Sequence, residues 1–201
     1  VRGRLLTGDY ITPLPGTESE TQAIIKEYEN RNLKAQALLH QSANEQFIKS
    51  GGLEKYKVLH FATHGFVNSE KPELSGILLA QDSTRNQDGI LYSGEIYNLK
   101  LNADLVVLSA CETGLGKINK GEGIIGLTRA LLYAGSKNII VSLWQVSDES
   151  TSDLMIDFYE NLLNIKSKSF NDPLRKAKLQ LISEGKFAHP FYWSPFILIG
   201  K

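Results

Sequence analysis

The stretch DLVVLSACETG, from Asp104 to Gly114, decides the fold of this chain. Its first half is a short apolar run, which is typical of a strand that is buried on both faces of a sheet. Its second half is small and polar, which indicates the loop that follows the strand. Cys111, the single cysteine in 201 residues, lies at this boundary. Two interpretations follow: a small buried hydrophobe, or a reactive thiol at the end of a strand.

Similar apolar runs recur along the chain and alternate with helical patterns. The further predicted strands are KAQALLH (34–40), KVLHFAT (57–63), GILLA (76–80), NIIVSLW (138–144) and PFILIG (195–200). Capping-box patterns beginning at Thr17 and Ser42 predict two helices. Further helices are predicted over 93–99, 122–136 and 147–164, and from Asp172-Pro173 onward. This order predicts an α/β fold with a mostly parallel central sheet and helices on both faces.

Two side chains that are able to take part in catalysis follow predicted strands. His64 comes just after KVLHFAT, and Cys111 comes just after DLVVLSA. Because the carboxyl ends of parallel strands meet at one edge, where sites form in such sheets, we expect both residues there. A thiol becomes a strong nucleophile only as the thiolate, which a nearby imidazole promotes. The placement favours a Cys111–His64 pair, and the alternative is a purely structural role for each residue.

The remaining chemical motifs are weak. Gly121, Gly123 and Gly126 fit the pattern G-x-G-x-x-G literally, but they begin about ten residues after the predicted strand ends. A dinucleotide site needs these glycines directly after the strand, so close packing of a helix is the better interpretation and a nucleotide-binding domain the alternative. The other histidines are His40, His60 and His189. None shows zinc-site spacing, so we expect no metal and no cofactor.

Composition limits the classes of partner. The chain is 42% apolar and 22% charged, and its 22 basic residues balance its 22 acidic ones. Nothing in this balance favours direct nucleic-acid binding or a membrane surface, and no apolar run reaches about 18 residues. A single cysteine forms no internal disulfide, so we expect a reducing, cytoplasmic location. The chain begins with Val1 rather than Met, which suggests a part of a longer polypeptide.

The chain closely resembles the CHAT domain, a caspase- and separase-like peptidase module often attached to tetratricopeptide repeats. The similar blocks are PLPGTESETQAI, VLHFATHGF, VVLSACETGLG, GEGIIGLTRALLYAG, VSLWQVSDESTSDLMIDFYENL and HPFYWSPFILIG, in that order. The resemblance implies a caspase-like three-layer sandwich that spans residues 1–201 as a single domain, at the C-terminal part of a longer protein. It also implies a cysteine endopeptidase that cleaves a partner protein and is activated by an attached repeat domain or sensor protein.

The resemblance also implies roles for individual residues. Cys111 would be the nucleophile and His64 the base, 47 residues upstream, close to the separation of about 50 in caspases. The backbone N–H groups of Gly65 and Cys111 would form the oxyanion hole, which stabilises the charge that develops during acyl transfer. The alternative is a catalytically silent protein-interaction module of the same fold.

Candidate pocket residues follow from the separase-like part of the resemblance, in which acids near the cleft receive a basic substrate residue. Asp148 and Gln145 follow the predicted strand NIIVSLW, and Glu112 directly follows the cysteine. Asp148 has a second interpretation, because Ser147 and the acids after it are typical of a helix N-terminus. Both interpretations of Asp148 stay open at the level of sequence.

Overall fold

The computed structural model describes residues 13–68, 70–82, 87–109, 122–165 and 169–200. Within these ranges, four strands form a central sheet and three form a smaller sheet. The central strands are β1 (Val58–Phe61), β5 (Leu105–Leu108), β6 (Asn138–Ser142) and β7 (Phe196–Gly200). The strands of the smaller sheet are β2 (Gly65–Phe66), β3 (Gly76–Leu78) and β4 (Ile90–Tyr92).

Helices surround the central sheet in the described ranges. They are α1 (Pro15–Glu29), α2 (Glu45–Lys49), α3 (Ser93–Ile96), α4 (Glu122–Tyr133), α5 (Asp148–Asn164), α6 (Asn171–Glu184) and α7 (Pro190–Trp193). Two short 3-10 turns lie at His40–Ser42 and Pro72–Leu74. None of the helices in this part of the chain has the length and apolar character needed to cross a bilayer.

The central sheet has the strand order β1-β5-β6-β7. The pairs β1–β5 and β5–β6 are parallel, whereas β7 runs antiparallel to β6. The prediction of a mostly parallel sheet is therefore confirmed. The carboxyl ends of β1, β5 and β6 consequently lie at one edge, which we call the carboxyl edge.

Strand β5 shows how the core divides into two halves. Leu105 and Val107 pack with α1, α5 and α6, whereas Val106 and Leu108 pack with α2, α3 and α4. Side chains of a strand alternate between faces, so a continuous run of buried apolar residues requires cover on both sides. Full burial of one such side chain contributes about 1.5–3 kcal/mol. The predicted arrangement of a sheet between two helical layers is confirmed.

The smaller sheet lies between β1 and β5 along the chain. Its strands β2, β3 and β4 pair antiparallel. The apolar run GILLA does contain a strand, Gly76–Leu78, but this strand belongs to the smaller sheet rather than the central one. An apolar run indicates burial without naming the neighbouring strand, so the sequence does not separate the two sheets.

The strand predicted over 34–40 is wrong. Residues 34–39 have no regular structure, and a 3-10 turn begins at His40. The side chains at 34–37 are exposed, so the alternating pattern of this segment buries no face. Without a buried face or a neighbouring strand, such a segment has no ladder to join.

Both predicted capping boxes are wrong in their details. Helix α1 begins at Pro15, so Thr17 lies inside it, and Glu20 is buried in the core instead of returning to the helix start. Helix α2 is capped by Asn44, whose side chain accepts the N–H of Phe47 at 3.1 Å. At α1, a tertiary contact of Glu20 replaced the predicted capping box. At α2, Asn44 took the place of the predicted cap.

The predicted cap of α5 is confirmed. The hydroxyl of Ser147 accepts the N–H of Ser150 at 3.1 Å, and the helix begins at Asp148. This start lies six residues beyond the end of β6, so the N-terminus of α5 is at the carboxyl edge.

Candidate functional site

The strands that precede the two predicted catalytic residues are neighbours in the sheet. In the parallel β1–β5 pair, Phe61 lies opposite Leu108, and the N–H of Ser109 donates to the carbonyl of Phe61 at 3.2 Å. The two strands therefore end at the same level. Cys111 and Glu112 lie outside the described residues, and His64 follows β1 by three residues.

The smaller sheet holds the backbone around His64. The carbonyl of His64 accepts the N–H of Leu78 at 2.8 Å, and the hydroxyl of Thr63 donates to the carbonyl of Leu78 at the same distance. His64 itself is half-buried. The end of β3 therefore fixes the direction in which the chain carries His64 away from β1.

The pairing of β2 with β3 also orients Gly65. Gly65 lies opposite Ile77, one residue beyond the hydrogen-bonded position of His64 and Leu78. Antiparallel pairs alternate between hydrogen-bonded and non-hydrogen-bonded positions, so the N–H of Gly65 faces away from β3. This is the direction in which it can donate to a group outside the smaller sheet.

Asp148 is in contact with the start of another helix. Its carboxylate Oδ2 accepts the N–H of Gly16 at 2.5 Å, although the two residues are 132 positions apart. Gly16 is the second residue of α1, and a Cβ at this position would lie 2.8 Å from the same oxygen. The absence of a side chain at Gly16 is therefore what permits the contact. Asp148 is half-buried, and Gln145 is exposed near the end of β6.

The starts of α1 and α5 meet at this carboxylate. Leu14, the residue before α1, offers no side-chain cap, so Asp148 supplies an acceptor from another helix. Helix N-termini carry partial positive charge and unsatisfied N–H groups, and both favour a nearby carboxylate. We call this contact the Gly16–Asp148 cap.

An aromatic pair lies close to the same edge. The indole N–H of Trp144 donates to the carbonyl of Phe191 at 3.1 Å, and the two ring centroids are 6.4 Å apart. Trp144 is 36% exposed and Phe191 47% exposed. Large aromatic side chains are usually more deeply buried, so this pair forms an apolar surface beside the end of β6.

A buried polar network lies beneath β1. His60 Nε2 is 2.7 Å from Glu20 Oε1 on α1, and His60 Nδ1 is 3.1 Å from the hydroxyl of Tyr159 on α5. Burial raises the pKa of Tyr159 well above its usual value, so its hydroxyl keeps its proton. A tautomer of His60 with hydrogen on Nε2 then satisfies both contacts.

Sequence reasoning missed three of these features. His60 interrupts an apolar run, which signals that a polar partner must be buried with it. Thr63 and Gly16 gave weaker signals, because their partners are 15 and 132 positions away. In the described residues, no group of three or more His, Cys, Asp or Glu side chains is arranged to hold a metal ion.

Comparison with known proteins places the chain in a family. The sequence profile of the CHAT domain matches residues 5–201. Human tetratricopeptide repeat protein 28 is 28% identical over 221 residues, a match that covers 94% of this chain and 8% of the relative. The mouse protein of the same name is 27% identical over 220 residues, covering 94% and 9%. The chain thus spans less than a tenth of the length of these relatives, and by the profile match over nearly all of its residues it belongs to the CHAT domain family.

Proposed function

We propose that this chain is a cysteine endopeptidase module of the caspase-like class, with Cys111 as nucleophile and His64 as base. The observation that carries the proposal is the level ending of the adjacent strands β1 and β5. His64 follows Phe61 by three residues, and Cys111 follows Leu108 by three residues. Because the two residues follow paired strand positions by the same number of residues, we expect them to lie close together at the carboxyl edge.

The proposed reaction proceeds by acyl transfer. His64 accepts the proton of the Cys111 thiol as the sulfur bonds to the scissile carbonyl carbon. The backbone N–H groups of Gly65 and Cys111 donate to the resulting oxyanion. The carbon–nitrogen bond then breaks, the leaving amine takes the proton from His64, and a thioester remains. Water then attacks the thioester carbonyl carbon as His64 accepts its proton. The carbon–sulfur bond breaks, His64 returns the proton to the sulfur, and the carboxylic acid is released.

The orientation of Gly65 supports its part in this reaction. Its N–H faces away from β3, and the hydrogen bonds of Thr63 and His64 to Leu78 hold the backbone in place. A fixed donor stabilises a developing charge without reorganisation, and the loss of one such donor costs about 3–4 kcal/mol of transition-state stabilisation.

The proposed substrate is a protein segment with a basic residue before the scissile bond. Asp148 is the proposed partner of that basic side chain, because it is the first residue of α5, at the carboxyl edge, and the next acid, Glu149, already pairs with Lys186. Gln145, which is exposed near the end of β6, and Glu112 are proposed as further pocket residues.

The proposed setting is a longer regulated protein in a reducing, cytoplasmic compartment. Both relatives are named for tetratricopeptide repeats, and this chain matches less than a tenth of either. A repeat domain or sensor protein is therefore the proposed regulatory partner. A free thiol as nucleophile also fits a reducing environment.

The decisive experiment is active-site labelling combined with cleavage profiling. The full-length protein, with its partner present, is treated with a peptide-based thiol-reactive probe and with a peptide library. We expect labelling and cleavage that Cys111→Ala abolishes and His64→Ala lowers by roughly 10²–10⁴-fold. His40→Ala is the matched control, because the His40 side chain is 70% exposed and lies on a surface turn.

The silent interaction module is the second outcome of the same experiment. Absence of probe labelling at Cys111 in the partner-bound protein, with the fold intact by circular dichroism, would favour that alternative. The names of both relatives describe repeats and no peptidase activity, which is the observation in its favour.

A further inference from the structure

The carboxylate of Asp148 is engaged by another part of this chain. We propose that α1 is a releasable cover of Asp148, and that release of its first turn opens the carboxylate to a basic side chain of the substrate. This inference rests on the proposed function, because it assigns a regulatory state to the same carboxyl edge. Its direct support is the Gly16–Asp148 cap, in which Gly16 N–H donates to Oδ2 at 2.5 Å.

Helix α1 is anchored beyond its first turn, where Ile24 is buried and Tyr28 packs against the core, whereas residues 15–18 have no buried side chain. Its buried side chains are Glu20 and Ile24, and only Ile24 is apolar. Helix α5, of similar length, buries eight residues, of which four are apolar or aromatic: Leu154, Met155, Phe158 and Tyr159. Apolar burial is the main favourable term in packing, so α1 gains less from docking than α5 does.

Glu20 adds a polar cost to the docked state. It is fully buried, and although Oε1 contacts His60, its Oε2 has no hydrogen-bond partner among the described residues. A buried carboxylate oxygen without a partner has lost its hydration without full compensation. Glu20 lies beyond the first turn of α1, so release of that turn leaves its contact with His60 in place, while the unpartnered Oε2 lowers the net gain from docking this part of the helix.

Electrostatics link the release of α1 to the affinity for a basic residue. With α1 docked, the positive N-terminal ends of both α1 and α5 adjoin Asp148, and the Gly16 N–H occupies one of its oxygens. When the first turn of α1 leaves, one positive helix end leaves with it. The carboxylate then attracts a lysine or arginine side chain more strongly, and its Oδ2 is available to accept from that side chain.

The position of α1 in the chain couples its first turn directly to the polypeptide that precedes it. Leu14 and Pro15 are the covalent link between Gly16 and the polypeptide that precedes α1. A partner that holds this polypeptide therefore acts on the turn that covers Asp148. The far end of α1 is held separately, where Arg31 Nη2 donates to Asn164 Oδ1 at 2.7 Å. Release of the first turn does not require release of that end.

The test compares two glycines in equivalent helical positions. Gly16→Ala introduces a Cβ that would lie 2.8 Å from Asp148 Oδ2, so either α1 or the carboxylate must move. Gly94→Ala is the matched control, because Gly94 is likewise the second residue of its helix and its nearest contact would be 3.5 Å. Both are made in the full chain, alone and combined with Asp148→Asn.

The first readout is binding, which does not depend on catalysis. A fluorescently labelled tripeptide amide ending in arginine is titrated against each variant, with the norleucine analogue as reference. We expect Gly16→Ala to tighten arginine-peptide binding at least about five-fold relative to wild type and Gly94→Ala. Asp148→Asn should remove that gain. Equal affinity in all variants, or a gain that survives Asp148→Asn, overturns the proposal.

The second readout is amide hydrogen exchange over residues 15–24. Gly16→Ala should accelerate exchange there and leave β5 and β6 unchanged, and unchanged exchange in α1 also overturns the proposal.

Probe labelling of Cys111 separates this inference from the proposed function. Asp148-dependent binding without labelling would reject proteolysis and keep the cover, whereas labelling with no effect of Gly16→Ala on binding or exchange would reject the cover and keep proteolysis.

Discussion

His60 on β1 and the fully buried Glu20 on α1 form a pair in which Nε2 and Oε1 are 2.7 Å apart, and the His60 side chain is only 13% exposed. The pair joins the first helix to the strand that leads to His64. Tyr159 completes it from α5 through the other ring nitrogen of His60. Three elements distant in sequence therefore share one network of two polar contacts inside an apolar layer, and the effect of disturbing it depends on which partner is removed.

Removal of His60 alone should be costly. In His60→Leu, the carboxylate of Glu20 and the hydroxyl of Tyr159 stay buried without their partner, which we expect to lower the free energy of unfolding by about 3–5 kcal/mol. The triple variant His60→Leu, Glu20→Leu, Tyr159→Phe should recover most of this loss, since no buried polar group is then left without a partner. Urea unfolding measures both, and simple additivity of the single changes would contradict the assignment.

Asp157 predicts a pH dependence of stability. It is 9% exposed on α5, and Gln180 Nε2 donates to its Oδ1 at 2.8 Å. Burial, followed by the negative charges of Glu184, Glu160 and Asp153, raises the pKa of Asp157 to about 7. The folded state therefore binds this proton more tightly than the unfolded state does. The resulting stabilisation is complete below the unfolded pKa and is lost as pH rises to about 7.

The measurement is urea unfolding at pH 5 and pH 8. From a folded pKa of about 7, this group alone should make the protein roughly 2–3 kcal/mol less stable at pH 8 than at pH 5. Asp157→Asn should remove that difference, because the amide oxygen still accepts from Gln180 and does not titrate. Glu29→Gln, at an exposed position on α1, is the control that should keep it. If Asp157→Asn keeps the wild-type difference in unfolding free energy between pH 5 and pH 8, the pH dependence belongs to other groups.

Two glycines with positive φ predict very different costs of alanine. Gly135, after α4, has φ of +115°, and a Cβ there would lie 2.1 Å from the carbonyl oxygen of Leu101. Gly185, after α6, has φ of +86° with no neighbouring heavy atom within 4 Å of the added Cβ. We expect Gly185→Ala to cost about 1–2 kcal/mol from backbone strain alone.

Gly135→Ala should cost more than about 3 kcal/mol or prevent folding, because strain and the backbone overlap act together. Thermal unfolding and the yield of soluble protein measure the difference. Similar melting temperatures for the two alanine variants would show that the chain after α4 moves away from Leu101 at little cost.

The aromatic pair at the carboxyl edge predicts an effect on substrate. Trp144→Ala removes one exposed ring and its hydrogen bond to Phe191, which should cost only about 1 kcal/mol of stability. We expect it to lower the rate of probe labelling and kcat/KM about ten-fold, since the rings adjoin the proposed cleft. Tyr133→Ala is the control, because Tyr133 is 76% exposed at the end of α4, which leads to the opposite edge. An equal effect of both variants would place Trp144 outside substrate binding.

Particular residues show how much of the fold could be predicted from the sequence. The apolar runs around Leu59 and Val107 predicted buried strands because an uninterrupted short apolar run is typical of a strand covered on both faces. The capping box at Thr17 failed because Glu20 had a better partner in His60, 40 residues away. The segment at 34–40 failed because alternation without a sheet neighbour does not make a strand.

The sequence by itself determined which segments are buried, their order, the mostly parallel sheet and the placement of His64 just beyond a strand. It did so because hydrophobic periodicity reports the burial of a side chain directly. Only the tertiary structure decided that β3 holds the backbone of His64, that Glu20 meets His60, and that Gly16 covers Asp148. These contacts join residues between 14 and 132 positions apart, and the pattern of one segment carries no information about the polar partner that another segment brings to it.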